Sequence, residues 1–360
     1  MPFRFSYQRE KEVIKVGKKR TRKPWSVTKK IVVFGIIGLL VAVILLNLVI
    51  LPLTATAERK GYSGDAIEKS PYIEETTKLS AHRAGGGEAP EETLAAFRLC
   101  MENEEYAVDI LEFDLHITKD GELVLLHDDT LDRTSDACET FGKKTDAFVK
   151  DYTLEEVKRL NMGENFVAPD GTTPYKGLRG DEVPDDVRIL TLDEILDYVE
   201  NRVRTDGEMN YIIEIKDEGN PGKKAMDKLY EKMQEYDITD RTIVGTFNAD
   251  ITAYIDEKYS EEVTRSASII EALHFYFSFL YGADLGEVKY GVLQLPYKAA
   301  FYNFGTKEII DYAHSYGIAA QYWTINEAEQ IKELKENGAD AVMTDYPAVG
   351  YEVLYGNGGK

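Results

Sequence analysis

The residues of this chain best able to do chemistry fall in a few short stretches. The first is Ala81-His82-Arg83, followed by Gly85-Gly86-Gly87. Histidine titrates near neutral pH and can give or take a proton. Arginine presents a planar fork that grips two phosphate oxygens, and glycines let a backbone approach a ligand closely. The second is Glu112-Phe113-Asp114. Residues two apart on a strand face the same side, so the two carboxylates repel unless something neutralises them. A bound cation does so, and an all-oxygen ligand set suits Mg2+ or Ca2+. A solvated strand end is the other reading. The third stretch, YIIEIK at 211–216, turns Glu214 and Lys216 to one face of an apolar run suited to a buried parallel strand. A third carboxylate fits an open metal site, and the lysine fits an anionic substrate group. An ion pair between the two fits equally. His127 ends the run ELVLLH at 122–127 and gains interest only if the fold brings it to His82.

These residues need a common rim. Short apolar runs at 79–83, 108–113, 211–216, 242–246, 263–266, 291–295, 318–323 and 341–344 read as strands. Helix-period segments at 91–103, 222–236, 249–258, 268–281, 306–316 and 326–337 lie between most of them. Strands alternating with helices imply parallel pairing, and eight such units imply a closed (β/α)8 TIM barrel of the α/β class. Active sites of such barrels lie at the C-terminal ends of the strands, where all the residues above fall. Residues 122–127 follow His116-Ile117, beyond the end of the second strand, after only Thr118-Lys119-Asp120-Gly121. So short a connection with Asp-Gly makes a hairpin, which returns His127 to the rim of Glu112 and Asp114. Residues 128–190 then read as a long insertion, with 165–186 as irregular loop, on the functional face.

The formal net charge of the 360-residue chain is −21, yet residues 1–30 carry eleven Lys/Arg against two Glu. An acidic body disfavours nucleic acid, which needs cations to neutralise its phosphates. Residues 31–53 carry no charge and would span roughly 35 Å as a helix, enough to cross a membrane. The basic flank places residues 1–30 in the cytoplasm and the large domain outside a cell membrane crossed once. A cleaved signal peptide ending near Ala55-Thr56-Ala57 is the alternative, though its apolar region would be shorter. Residues 54–77 read as a linker and 78–351 as the barrel. Cys100 falls in an apolar helical run and is expected to pack there; a bond to Cys138 is possible outside the cell. His116, His274 and His314 are assigned surface or core roles.

Taken in order, the motifs resemble the glycerophosphodiester phosphodiesterase family. The resemblance is carried by AHRAGGGEAPEETLAAF (81–97), ILEFDLHITKDGELVLLHDDTLDRTSD (110–136), ILTLDEIL (189–196), YIIEIK (211–216), YWTIN (322–326) and GADAVMTDYP (338–347). It covers about residues 79–350. It implies one divalent cation, Ca2+ or Mg2+, on Glu112, Asp114 and Glu214, with His82 and His127 as the acid/base pair. Arg83 and Lys216 would hold the phosphate of a glycerophosphodiester, and Glu91 would support the site from behind. Trp323 would wall the pocket or pack in the barrel. The chain departs from the family pattern at Ala84, where the family has glycine, and at Glu92, where it has asparagine. A phospholipase D-type lipid hydrolase and a non-catalytic glycerophosphate or lipid-binding module are the alternatives.

Overall fold

The computed structural model describes residues 68–203, 209–299 and 302–356. Residues 1–30, the apolar run 31–53 and most of the segment read as linker lie outside them. Among the described residues no helix is long and apolar enough to cross a membrane.

Strands β1 (Lys78–Ala81) and β2 (Ile110–Ile117) are followed by β3 (Leu123–Leu125), then β4 (Asn210–Ile215), β5 (Thr242–Gly245), β6 (Thr264–Arg265) and β7 (Val292–Leu295). A short hairpin of β8 (Lys298–Ala299) and β9 (Tyr302–Asn303) precedes β10 (Ala319–Tyr322) and β11 (Ala341–Thr344). Eight of these pair in parallel in the order β6-β5-β4-β2-β1-β11-β10-β7. The bridge between Ser266 and Val292 joins the two ends and closes the barrel. Helices α1 (Leu94–Met101), α2 (Leu192–Leu196), α3 (Gly219–Glu235), α4 (Ala249–Lys258), α5 (Ile269–Tyr281), α6 (Lys307–Ser315), α7 (Ala328–Asn337) and α8 (Pro347–Tyr355) follow the eight barrel strands in turn. The eight-unit barrel expected from the alternation is therefore borne out.

Side chains alternate across each strand, and this parity divides the apolar residues into two compartments. Leu111, Phe113, Leu115, Tyr211 and Ile213 point outward and pack under the helices, with Phe97 of α1 edge-on to Phe113 at 5.8 Å between centroids. Ile110, Ile212, Ile243, Val292, Ala319 and Ala341 point inward and fill the lower barrel. Tyr72 joins this inner cluster, its hydroxyl donating to the Asp240 carbonyl. The last residues of the stretch read as linker thus pass under the barrel. Burying such a ring stabilises the fold by on the order of 2–3 kcal/mol.

β2 runs four residues past its expected end. Its last residues turn from β4 to antiparallel pairing with β3, matching Leu115 to Leu125 and Ile117 to Leu123. The insertion that follows carries a small core of its own, including Leu131, Ala147, Val157, Leu160 and Met162, closed against Val124 and Leu126. Residues 165–186 form turns with short 3-10 segments at Gly180–Glu182 and Asp185–Val187. α5 starts on a Ser268–Glu271 capping box and stops at Gly282 in the left-handed region. Its Phe275 and Phe279 are buried against the barrel, whereas Ile269, Ile270, Leu273, Phe277 and Tyr281 are exposed. Both cysteines are free, and Cys100 is buried with its thiol donating to the Ala84 carbonyl.

Candidate active site

The site begins where β1 ends. The chain leaves Ala81 through a single turn, His82–Ala84, and passes through positive φ at Arg83, Ala84 and Gly85. This coil turns the His82 ring and the Arg83 guanidinium over the barrel mouth. Ala84, at φ 59°, occupies a conformation that glycine adopts without strain. The Arg83 amide donates to Glu112 Oε2 at 2.7 Å, tying the turn to β2.

Register then sets the carboxylates side by side. Asp114 of β2 pairs with Glu214 of β4, and Glu112 lies one step below opposite Ile212. Lys216 extends from the end of β4, with its ammonium 3.0 Å from Glu214 Oε1 and 3.3 Å from Asp114 Oδ1. The ion pair considered from the sequence is thus present and shared between two acids. His127, two residues past β3, is drawn to the same mouth because the Leu126 amide bonds the Asp114 carbonyl at 3.1 Å. His82, Arg83, Glu112, Asp114, His127, Glu214 and Trp323 all line one cavity of about 380 Å3. Phe247 forms its aromatic wall with Trp323, 5.9 Å between centroids. Glu91 stands back from this cavity and pairs with Arg83 at 3.3 Å.

Each imidazole of the pair is held by a carboxylate. His82 Nδ1 lies 2.6 Å from Asp345 Oδ1, and Asn326 Nδ2 donates to the other oxygen of Asp345 at 2.8 Å. His127 Nδ1 lies 2.7 Å from Asp128 Oδ1. Arg133, from the insertion, forks onto both Asp128 and Glu91 with four hydrogen bonds of 2.6–3.0 Å. A carboxylate on one ring nitrogen fixes the tautomer and aims the other nitrogen.

The electrostatics push the two rings apart. Burial works against charging His82, but Glu112 and Asp345 outweigh it and raise its pKa. At His127 burial prevails over Asp114 and Asp128, and the pKa falls. Burial and the neighbouring Asp114 push the carboxyls of Glu112 and Glu214 up to about 7. Burial opposes charge on Asp114 too, yet Lys216, His127 and Arg83 keep its pKa low.

The acids fit a divalent cation by chemistry. Both Asp114 oxygens are buried with no partner beyond the Lys216 ammonium, 3.3 Å from Oδ1, and burial with the neighbouring Asp114 works against the charged forms of Glu112 and Glu214. A hard cation relieves both conditions and prefers oxygen ligands. Among the described residues, no three His, Cys, Asp or Glu side chains already converge as a ligand group. Lys216 supplies the positive charge among them instead.

Several site residues were not singled out from the sequence. Asp128 directly follows His127, and Asp345 continues the inward parity of Ala341 and Met343, so both were within reach of pattern reasoning. Arg133 and Asn326 sit within quoted motifs, but only the tertiary fold shows what they hold. Phe247 carried no signal beyond following a strand. His116 is buried on Asp217 at 3.2 Å, His314 bonds Asp340 at 2.8 Å and His274 is exposed, in keeping with structural roles.

A (β/α)8 barrel with two carboxylate-held imidazoles, an arginine and a lysine converging at its C-terminal mouth defines a barrel enzyme equipped for proton transfer on an anionic substrate. The chain belongs to the glycerophosphoryl diester phosphodiesterase family, whose model matches residues 82–349, and is thereby a phosphoric diester hydrolase. It is 28% identical over 278 residues to the glycerophosphodiester phosphodiesterase of Caldanaerobacter subterraneus subsp. tengcongensis, covering 75% of this chain and 95% of that one. It is likewise 28% identical to a Bacillus subtilis glycerophosphodiester phosphodiesterase over 288 residues, 77% of this chain and 86% of the other. The fold matches a crystal structure of a phosphodiesterase of this kind from Silicibacter pomeroyi with a TM-score of 0.60 at 19% identity, over 78% of this chain and 93% of that one. It also matches an Oleispira antarctica phosphodiesterase solved with its product sn-glycerol-3-phosphate, with a TM-score of 0.57 at 22% identity, over 77% and 96% of the two chains.

Proposed function

We propose that the chain hydrolyses glycerophosphodiesters to glycerol 3-phosphate and an alcohol, with His127 as general base and His82 as general acid. The carrying observation is that two imidazoles, each backed by a carboxylate, face one cavity with their pKa values displaced in opposite directions. Paired titratable groups driven apart in this way divide into acid and base. Arg83 and Lys216 grip the phosphate oxygens and offset the charge that grows on them. His127 takes the proton of the attacking hydroxyl as its oxygen bonds to phosphorus. His82 gives its proton to the alcohol oxygen as that P–O bond breaks. The attacker is water, or a glycerol hydroxyl of the substrate; in the second case a cyclic phosphate forms, and the histidines exchange roles as water opens it, His82 taking the water proton and His127 returning its own to the glycerol oxygen. Glu112, Asp114 and Glu214 would hold a divalent cation, Ca2+ or Mg2+, which supplies charge neutralisation to the phosphate when bound.

The apolar run 31–53 with its basic flank supports a single-pass anchor that leaves the barrel outside the cell membrane. Retention of both histidines and all three carboxylates in one cavity favours catalysis over a binding module. One observation favours a lipid substrate as a second reading. The exposed apolar stripe on α5 is a feature of surfaces that meet membranes or other proteins.

The test is release of glycerol 3-phosphate from glycerophosphocholine by the full-length chain in detergent. Release is expected with added Ca2+ or Mg2+ and is expected to stop with chelator. Release that continues undiminished in chelator would remove the cation from the account.

A further inference from the structure

A helix on the outside of a barrel normally turns its polar side to water. α7 does so and exposes Glu329, Lys332, Lys335 and Glu336. α5 does the opposite. Ile269, Leu273, Phe277 and Tyr281 follow one another at intervals of four along its exposed face, and Ile270 beside them is 70% accessible. Residues four apart are neighbours on a helix surface, so the row runs unbroken for about 18 Å at the helical rise per residue. Glu271 is the one carboxylate of the helix, and it is turned inward. It closes the Ser268 cap and accepts from the buried Arg265 at 2.8 and 2.9 Å. The row itself therefore carries no charge, with the exposed His274 beside it.

Two further features adjoin the row. Ser266 and Ala267, which lead into α5, line the active-site cavity, and so does the half-exposed Phe247. The start of the row thus borders the barrel mouth. At its side, Tyr276 packs on Tyr302 and Phe304, with centroids 5.3 and 4.9 Å apart, which fixes the β8–β9 hairpin against the helix. Residues 298–303 read KAAFYN, uncharged but for the exposed Lys298.

An uncovered apolar row of this kind marks a binding surface, and three observations select a lipid bilayer as its occupant. The uncharged run 31–53 is separated from the first described residue by residues 54–67 alone, a reach of at most about 50 Å. A bilayer entered by that run never lies farther than this from residue 68; the step rests on the anchor proposed above. The make-up of the row, aliphatic and aromatic with a lysine at its margin, is that of faces that lie between headgroups and acyl chains. Its area is also too small for a second copy of the chain. Five side chains about half exposed offer a few hundred Å2, short of the roughly 800 Å2 that each partner gives to a standard interface.

We propose that the exposed face of α5, flanked by the β8–β9 hairpin, seats the barrel on the bilayer surface and holds the barrel mouth beside the headgroups. The contact is apolar rather than electrostatic, because the chain carries a formal net charge of −21 with eleven of its 43 Lys/Arg in residues 1–30. It therefore forms on a zwitterionic surface.

The experiment places the full-length chain in phosphatidylcholine vesicles that contain a nitroxide-labelled phosphatidylcholine. Cys138→Ser removes the accessible native thiol, since Cys100 is buried. A bimane fluorophore is attached at Leu273→Cys on the row, or at Lys332→Cys on α7, where the native side chain is 68% accessible. Apolar faces of interfacial helices sit within the headgroup and acyl boundary, so quenching is expected to be at least about twofold stronger at 273 than at 332. Ile270→Glu with Phe277→Glu, both at exposed positions, should bring the two sites level and leave Tm in detergent unchanged. Equal quenching at 273 and 332 in a chain that floats with the vesicles, or an excess at 273 that survives the double substitution, overturns the docking face and leaves the anchor standing. Pyrene at 273 that gives excimer emission in place of quenching makes a second copy the occupant and overturns the lipid contact. Failure of the chain to float with the vesicles overturns the anchor and the docking with it. None of these readouts uses turnover, so the proposed reaction is judged separately.

Discussion

At the residue scale, His82 and Asp345 act as one unit. Asp345→Asn keeps the shape of the partner but no longer demands a proton on His82 Nδ1, and it weakens the charge that raises the His82 pKa. The expected result is a fall in kcat of about 10²-fold with KM little altered, within the range for general acid catalysis. Steady-state kinetics on glycerophosphocholine give the answer; an unchanged kcat would mean the carboxylate is only structural. Glu92 behaves differently. It sits at φ 57° and is buried, with Oε1 accepting from the Asp114 amide at 2.6 Å and Oε2 without a partner. Burial and the neighbouring acids Asp114 and Glu91 raise its pKa well above the usual range. Gln at this position keeps the acceptor and is neutral without the proton that burial makes the Glu92 carboxyl take up on folding. Glu92→Gln should therefore stabilise the chain by about 1 kcal/mol, seen as a higher Tm in chelator; a lower Tm contradicts this reading of the position.

At the element scale, the β2–β3 hairpin and the insertion form one device. The hairpin delivers His127 to Asp114, and the insertion returns Arg133 to clamp Asp128 and Glu91. Burial works against the charged form of Asp128, but Arg133 and His127 outweigh it and hold its carboxyl at about 2. Because this pKa lies below that of the unfolded chain, near 4, the stabilisation is complete above about pH 4. It is lost as pH falls through about 2. Denaturant melts in that window should show a steeper loss for the wild type than for Asp128→Asn. Parallel pH dependence of the two would show that the clamp adds nothing to stability. The hairpin was legible because Asp-Gly over so short a connection leaves no alternative. The strand bound was less exact: the second strand was expected to end at Phe113, whereas β2 runs unbroken through His116-Ile117 into the hairpin. The insertion's own core was hidden. Its apolar residues, Leu131, Val149, Val157 and Met162, are too scattered in sequence to show a period.

At the scale of the whole molecule, the repeat of strand and helix made the barrel readable, and strand parity then put Glu112, Asp114, Glu214 and Trp323 on one rim. What stayed unreadable was the layer behind the site. Asp345, Asn326 and Arg133 are joined to their partners across wide gaps in sequence, Arg133 to Glu91 over 42 residues and Asp345 to His82 over 263. No local pattern encodes such pairings. The division of labour between the histidines is likewise a property of the assembled charges.

That division is the central claim, and leaving-group chemistry tests it most directly. A p-nitrophenyl leaving group departs without needing a proton, whereas choline needs one. The account predicts that His82→Ala loses about 10²- to 10⁴-fold in rate on glycerophosphocholine but about tenfold or less on the p-nitrophenyl diester of glycerol 3-phosphate. His127→Ala is predicted to be impaired on both. Equal losses of His82→Ala on the two substrates, or rescue of His127→Ala instead, would contradict the assignment of acid and base.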